Sequence, residues 1–247
     1  MLISCKEIKS TWDVKPTGVL HIGAHEAEES EEYSKLNWGP VIWIEAQSSL
    51  ATKLKSRLNS KENKVIHAAV WDVNGIEVEL KITNNSQSTS LLDLGTHNDD
   101  YPDVVVTDIE KIKTSRVDSL LDDSAKFDFI NLDIQGAELH ALRGMGELLD
   151  KVNYVYTEVN KKKVYIDCAQ IEEIEEFLGQ KGFEKVCVRW IPKKGWGDAL
   201  FIRREVINTN ATTRSKSFIF KCLFYALFFY HELAHAAKVF LRSKLAK

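Results

Sequence analysis

Short runs of β-branched and aromatic residues alternate with longer stretches of helical periodicity over most of the chain. The runs have the length of single strands, and the stretches between them are long enough for the helices that connect parallel strands. This alternation predicts an α/β fold in which helices cover both faces of a mostly parallel sheet. The predicted strands of this sheet are residues 18–23, 40–46, 64–71, 127–133 and 152–159.

Helices are predicted in the intervals between these strands. A polar helix follows the first strand to about Leu36, and a second helix covers residues 50–58 with Ser48 as its N-cap. The remaining predicted helices are residues 136–144 and 171–181, and the last two strands, 183–190 and 199–204, can pair as a hairpin.

The alternation is interrupted in the middle of the chain. Residues 76–83 and 104–117 alternate polar and apolar positions with no helix between them. Period-2 patterning predicts half-buried strands, so we expect an inserted β-hairpin or edge strands, with residues 84–101 as a polar connection. We expect residues 84–118 of this insertion to build the substrate pocket.

Charge divides the 247-residue chain into two parts. The total is 33 Lys and Arg against 36 Asp and Glu, but residues 206–247 contain seven basic residues and one acid, which leaves a net charge of −9 for residues 1–205. We therefore predict an acidic folded domain, 1–205, and a basic, aromatic-rich helical tail, 206–247. An acidic domain argues against general nucleic-acid binding.

The cysteines and the first residues indicate a cytoplasmic location. The four cysteines lie far apart without a CxxC pair, so neither a disulfide framework nor a cysteine zinc site is expected. The start of the chain has no apolar run of signal-peptide length.

Ligands of open α/β sheets bind beyond the carboxyl ends of the strands. The first strand ends in a glycine turn, Gly23 followed by Ala24 and His25, and Glu45 ends the second strand 22 residues after Gly23. An acid at this spacing typically accepts hydrogen bonds from a ribose diol. Because the turn lacks the further glycines that a pyrophosphate requires, S-adenosylmethionine fits better than NAD or ATP.

Three carboxylates follow later strands. Asp133 ends the fourth, where the next helix N-terminus is expected to keep it ionised, ready to take an acceptor proton, although it could instead be a turn acceptor. Glu138 falls in that helix's first turn, where it could act in catalysis or compensate the helix dipole. Glu158 could bind substrate hydroxyls or pair with a lysine of residues 161–163.

Several motifs resemble the FkbM-type methyltransferases, which depend on S-adenosylmethionine. They are residues 19–25, 43–46, 68–70, 88–92, 116–121, 129–138, 158–159 and 197–201. The resemblance implies a Rossmann-like methyltransferase fold, a seven-stranded sheet with its last strand antiparallel, and methyl transfer usually to a hydroxyl oxygen. The residues assigned to cofactor binding are Gly23, Ala24, His25, Glu45, Ala46 and Ala68, and those assigned to catalysis are Asp133, Glu138 and Glu158.

The chain departs from the family pattern around the glycine turn. The family more often has an acid at His21, an asparagine at His25 and a glycine at Ala27. These departures change side-chain contacts with the cofactor and leave backbone contacts in place.

The tail contains residues 231–235, a literal HExxH, but the 12 residues that follow offer no third zinc ligand, so no metal site is predicted. Residues 217–241 predict an amphipathic helix with a wide aromatic face. That face could lie in a membrane interface, form a homodimer or pack onto the domain.

The sequence thus predicts an S-adenosylmethionine-dependent O-methyltransferase that acts on a hydroxylated small molecule or glycan. Two alternatives remain open: a catalytically silent nucleoside-cofactor-binding module and a nucleotide-dependent oxidoreductase. The predicted location is cytoplasmic, with peripheral membrane contact or dimerisation through the tail.

Overall fold

The computed structural model describes residues 1–58, 60–210, 213–217 and 219–220. The strands in these ranges are β1 (Val19–Ile22), β2 (Val41–Glu45), β3 (Asn63–His67), β4 (Ala69–Val70), β5 (Glu77–Thr83), β6 (Val106–Ser115), β7 (Phe129–Leu132), β8 (Tyr154–Asn160), β9 (Phe183–Trp190) and β10 (Trp196–Arg203). The helices are α1 (Cys5–Trp12), α2 (Ser30–Leu36), α3 (Ser48–Arg57), α4 (His97–Asp100), α5 (Val117–Leu120), α6 (Glu138–Gly144), α7 (Ile171–Gln180) and α8 (Arg204–Thr209).

The main sheet has seven strands in the order β3-β2-β1-β7-β8-β10-β9. Strands β3, β2, β1, β7 and β8 are parallel to one another, whereas β10 is antiparallel to both of its neighbours. The prediction of a mostly parallel seven-stranded sheet whose last strand is antiparallel is therefore confirmed. The hairpin predicted for the last two strands is also present.

Helices cover both faces of this sheet because its central strands are apolar on both sides. Every residue of β1, β2, β7 and β8 is buried. Leu20 and Ile22 pack in one apolar cluster, while Val19 packs in a second cluster with Trp43 and Phe129. Adjacent residues of a strand thus supply opposite cores, as expected for a sheet covered on both faces.

The third predicted strand, residues 64–71, is wrong as a single element. Strand β3 pairs with β2 in the main sheet, but β4 pairs with β6 in a separate three-stranded sheet. Between them, the Ala68 N–H donates to the Glu45 carbonyl at 3.0 Å. The apolar run is continuous in sequence, but its hydrogen-bonding partner changes at Ala68, and composition carries no information about that change.

The predicted inserted hairpin forms, as an antiparallel pair of β5 and β6. It joins β4 in the small sheet and not the edge of the main sheet. The connection between the two strands is more than a polar loop, since it contains a 3₁₀ turn, Ser86–Ser88, and the short helix α4.

Two helix starts differ from expectation. Helix α1 was not predicted, although Ser4 caps it by accepting from the Glu7 N–H at 3.2 Å. Ser48, the predicted N-cap of the third helix, is instead its first helical residue, with Gln47 at the cap position. The Ser48 N–H donates to the Glu110 carboxylate at 3.1 Å, so a distant acid replaces the side-chain cap.

The predicted boundary at residue 205 falls within α8, and the division into 1–205 and 206–247 stays a prediction. Just after α8, the Thr213 hydroxyl donates to the Trp12 carbonyl at 2.6 Å, and the Ser217 hydroxyl donates to Glu184. Most of the predicted amphipathic helix, including residues 231–235, lies outside the described residues. Within the ranges described, none of the helices combines the length and the apolar character needed to cross a bilayer.

Candidate active site

A cleft of about 510 Å³ opens at the carboxyl ends of the central strands. Seven of the nine predicted site residues line it: Gly23, His25, Glu45, Ala46, Ala68, Asp133 and Glu158. The other two, Ala24 and Glu138, are buried outside its lining. Its volume lies in the range of small-molecule sites, roughly 300–1,000 Å³.

The glycine turn brings the ends of β1 and β7 into direct contact. Gly23 has φ +86°, and a Cβ atom at this position would lie 1.8 Å from the Asp133 carbonyl oxygen. The N–H groups of Gly23 and Ala24 both donate to the Ile44 carbonyl at 3.0 Å. A glycine is therefore required here by the protein's own backbone, whatever the ligand.

The departures at His25 and Ala27 occur at left-handed backbone positions, with φ of +45° and +51°. Glycine and asparagine adopt this conformation most easily, which explains why the family more often uses them here. This chain adopts the left-handed conformation at both positions with histidine and alanine. The His25 ring contacts the Glu28 carboxylate at 2.6 Å and the Ser86 hydroxyl at 2.9 Å, which links the turn to the insertion.

Glu45 is held at the cleft by the backbone. Its two oxygens accept from the N–H groups of His25 and Gln47, each at 2.8 Å, and the side chain is almost buried. Burial raises the pKa of Glu45 above its ordinary value, and the two backbone donors partly oppose this effect. Each carboxylate oxygen has a further lone pair, so this fixed group could also accept from a ribose diol.

Asp133 and Glu158 meet at the cleft through the side chain of Gln135. The Gln135 amide nitrogen donates to Asp133 Oδ1 at 2.6 Å and to Glu158 Oε2 at 2.9 Å, and the Tyr165 hydroxyl donates to the amide oxygen. The sequence left a turn-acceptor role open for Asp133 and a lysine partner open for Glu158. In the structure, Asp133 Oδ1 accepts from the Gln135 side chain, and Glu158 Oε2 accepts from Gln135 and not from a lysine. In the lysine run, Lys161 lies over the Trp190 ring at 4.0 Å.

The expectation that the N-terminus of the next helix stabilises the ionised form of Asp133 is wrong, although a pKa of about 6 leaves the group ionised at neutral pH. Asp133 is open to the cleft but surrounded by protein on its other sides, and this desolvation, with the charge of Asp198, raises its pKa to about 6. Helix α6 begins only at Glu138. The carboxylate of Glu138 accepts hydrogen bonds from the free N–H groups of the turn. Burial, followed by the charge of Asp133, raises the pKa of Glu158 well above its usual range.

Glu138 has no exposed surface and lies beneath the cleft. One carboxylate oxygen accepts from the N–H groups of Ile134 and Gly136 at 3.1 and 3.0 Å, so the side chain holds the turn that carries Gln135. Burial raises its pKa to about 7. The structure therefore does not bring Glu138 to the position of a catalytic group. The position of Glu138 in the first turn of the predicted helix was the feature of the sequence that indicated a role other than catalysis.

The far end of the cleft is lined by residues that the sequence did not single out. Tyr165 and His97 pack with ring centroids 5.6 Å apart, and the Trp196 indole N–H donates to the Tyr101 hydroxyl at 3.3 Å. Opposite them, the Tyr156 hydroxyl donates to Asp198, which also accepts from a backbone N–H. The sequence predicted that the insertion, which contains His97 and Tyr101, would build this pocket, but no pattern marked the individual aromatic residues.

The cleft is strongly acidic. Six carboxylate side chains line it: Glu28, Glu29, Glu45, Asp133, Glu158 and Asp198. Among the described residues that line it there is no lysine or arginine side chain. Such a lining fits a cofactor that carries a positively charged sulfonium, and it opposes the binding of phosphate groups.

Comparison with solved structures gives only distant similarities. The chain is similar to a SAM-dependent methyltransferase from Aquifex aeolicus, with 14% identity, 81% of this chain and 90% of that chain covered, and a TM-score of 0.44. It is also similar to a ribosomal protein L11 methylase from Lactobacillus delbrueckii subsp. bulgaricus, with 15% identity, coverage of 77% and 71%, and a TM-score of 0.40. No curated protein matches the sequence. The sequence identities and TM-scores of these two structures are too low to establish a close relationship.

The family model gives a direct assignment. The Methyltransferase FkbM domain matches residues 21–185, well over half of the chain, and this range includes the glycine turn, Glu45 and the Asp133–Glu158 pair. The resemblance seen in the motifs is therefore confirmed, and the chain belongs to the FkbM methyltransferase domain family, whose cofactor, S-adenosylmethionine, is also the cofactor of this protein.

Proposed function

We propose that this S-adenosylmethionine-dependent methyltransferase methylates a hydroxyl oxygen of a small molecule or glycan, with Asp133 as the base. The observation that supports the proposal is the meeting of Asp133 and Glu158 at the cleft through the Gln135 amide, at 2.6 and 2.9 Å. When bound, the cofactor supplies an electrophilic methyl group. The protein must then orient the acceptor, exclude water and receive the proton that the hydroxyl loses.

The two carboxyls are suited to different roles. With a pKa of about 6, Asp133 is ionised at neutral pH and basic enough to accept a proton. Burial, followed by the charge of Asp133, raises the pKa of Glu158 well above its usual range, which favours its protonated form. Environments that push the pKa values of two neighbouring acids apart assign one as base and the other as hydrogen-bond donor. Glu158 would accordingly bind a second oxygen of the acceptor.

We assign the cofactor to the half of the cleft at Gly23, His25, Glu45, Ala46 and Ala68, with Glu45 on the ribose. Ala24 contributes its buried backbone to the turn. The acceptor half then lies against the insertion and the aromatic residues Tyr101, Tyr165 and Trp196. Flat apolar rings beside polar groups suit a sugar ring or a similar hydroxylated molecule. The acidic lining disfavours nucleic-acid acceptors, because their phosphates would be repelled.

The location and associations of the protein are also proposals. We propose a cytoplasmic enzyme whose tail, residues 206–247, contacts a membrane surface or a second copy of the chain. Sedimentation of the full chain with anionic liposomes would support the first contact, and a lipid-independent dimer in size-exclusion chromatography would support the second. A full chain that is monomeric and does not sediment with liposomes would contradict both the membrane contact and the dimer contact.

The decisive experiment measures release of S-adenosylhomocysteine from the full chain with a panel of hydroxylated acceptors, including glycans. Asp133→Asn should keep most of its cofactor affinity and lose about 100-fold or more in turnover, the scale of a lost general base. Asp150→Asn makes the same chemical change at an exposed position away from the cleft and should be without effect. Undiminished turnover in Asp133→Asn would contradict the catalytic assignment. Cofactor binding without turnover on any acceptor would favour a silent binding module.

A further inference from the structure

Gln135 connects the two proposed catalytic carboxyls through its side-chain nitrogen, and its side-chain oxygen accepts from the Tyr165 hydroxyl. We propose that Gln135 is a positioning residue that holds the carboxyls of Asp133 and Glu158 in one fixed arrangement, and that Tyr165 sets the orientation of its amide. The inference rests on the proposed function, because it assigns a purpose to the pair that the proposed reaction uses.

The hydrogen-bonding capacity of each group determines how the amide is oriented. Both hydrogens of the Gln135 NH₂ group are used, one on Asp133 Oδ1 and one on Glu158 Oε2. The ionised carboxylate of Asp133 can only accept, so the reverse orientation would place the amide oxygen against an acceptor at Asp133. The Tyr165 hydroxyl donates to the amide oxygen and thereby favours the same orientation. Tyr165 is itself 1% exposed and cannot turn away to solvent.

The backbone of Gln135 is held as firmly as its side chain. Its φ is +56°, a left-handed conformation that glutamine rarely adopts, and its carbonyl accepts from the Ser90 hydroxyl at 2.7 Å. Below it, Glu138 binds the N–H groups on either side of the residue. Residues held in rare backbone conformations by surrounding contacts are concentrated at functional sites.

The amide counteracts the environment of the pair. Asp133 and Glu158 face each other, and the pair also faces Asp198 on β10 and Glu138 below the turn. The charges of Glu29 and of the Met1 amino group act on Asp133 as well. These carboxyls, the burial of Glu158 and the partial desolvation of Asp133 favour protonation, whereas N–H donors favour the ionised form. Removing the donors should therefore raise the pKa of both carboxyls and release them from one another.

The test is a titration that needs no acceptor. We would follow the side-chain carboxyls of Asp133 and Glu158 by ¹³C NMR in the full chain labelled at Asp and Glu. In Gln135→Met, which keeps the length but has no donor, both midpoints should rise by about one pH unit or more. Gln180→Met makes the same change at an exposed position of α7, and it should leave both midpoints unchanged.

Two further variants keep the inference testable if Gln135→Met does not fold. Gln135→Asn tolerates the left-handed backbone but is one methylene too short to bridge both acids, and we expect at least one midpoint to rise. Tyr165→Phe removes only the donor to the amide oxygen, and a smaller rise is expected. Midpoints equal to those of the unmodified chain in every folded variant would overturn the inference.

The result separates this inference from the proposed function. The titration reports the arrangement of the carboxyls whether or not an acceptor is methylated, so failure of O-methylation would leave it interpretable. For any acceptor that gives turnover, Gln135→Asn should lower kcat at least tenfold with the cofactor Kd changed by less than about threefold. An unchanged kcat would overturn the functional part of the inference even if the midpoints moved.

Discussion

The carbonyl oxygen of Asp133 occupies the space where a side chain at Gly23 would begin. A Cβ atom on Gly23 would lie 1.8 Å from that oxygen. The turn assigned to the cofactor and the strand that carries the proposed base are thus in backbone contact. A displacement of one must displace the other. We therefore expect the same glycine to affect stability, cofactor binding and the position of Asp133.

Gly23→Ala should lower both stability and cofactor affinity. The added methyl group meets a backbone atom that cannot rotate away, and φ of +86° is unfavourable for alanine, so we expect a loss of about 2–4 kcal/mol in the free energy of unfolding. Urea unfolding and isothermal titration with S-adenosylmethionine measure the two effects. Gly179→Ala is the control: its Cβ would meet only Arg204 at 3.9 Å, and it should raise stability by about 0.5–1 kcal/mol. Equal stability of the two variants would contradict the prediction.

Glu45→Ala should weaken the binding of S-adenosylmethionine by roughly 10- to 150-fold, or about 1.5–3 kcal/mol. The substitution removes the proposed ribose acceptor and also releases the N–H groups of His25 and Gln47. Isothermal titration checks the prediction, with the exposed Glu147→Ala as a control that should bind normally. Unchanged affinity in Glu45→Ala would exclude the ribose assignment.

Glu138 should make stability depend on pH. Its pKa is about 7 in the folded chain against an ordinary value of 4.5, so between these values the folded state holds a proton that the unfolded state has lost. Its contribution to the free energy of unfolding is therefore largest below about pH 4.5 and falls, by up to about 3 kcal/mol, as the pH rises to 7. Glu138→Gln should remove this component. The comparison is urea unfolding of both proteins from pH 4.5 to 8, and parallel curves would contradict the prediction.

Truncation after Glu205 should destabilise the protein. It removes most of α8, including the buried Ile207, whose burial is worth about 1.5–3 kcal/mol, and it removes Thr213, which donates to the Trp12 carbonyl. Thermal unfolding of the full and truncated chains tests this. If the melting temperatures agree, the segment does not contribute to the stability of the domain, and the predicted boundary at 205 gains support.

Three of the six acids that line the cleft could be found from the sequence because position along a strand determines position in space. Parallel strands end at one edge, so Glu45, Asp133 and Glu158 are brought together by the order of the sheet alone. Glu138 also follows a strand, but it lies five residues further on, inside a helix that turns its side chain beneath the site. Sequence position could not distinguish a residue that caps the turn from one that enters the cleft.

The sequence could not predict the contact between Gln135 and Tyr165 or the break between strands at Ala68. An amide has no charge to mark it as chemistry, and the importance of Gln135 depends on a contact with Tyr165, 30 residues away. The break between β3 and β4 reflects a change of partner strand, from β2 to β6. Both features depend on long-range pairing, which local patterns of polarity do not record.

The insertion beside the proposed acceptor half is attached partly through its main chain, in addition to the side-chain contacts of Ser86, Ser90 and Tyr101. Between β5 and β6, the N–H groups of Gly95 and Thr96 donate to the carbonyls of Val164 and Lys163 at 2.9 Å, and the Ile166 N–H donates to the Asp93 carbonyl at 2.7 Å. Such attachment does not depend on which side chains the segment carries. Relatives could therefore diverge in acceptor preference by exchanging side chains along this one segment while the cofactor half stays the same. Grafting residues 84–105 between members of the family offers a route to altered substrate range.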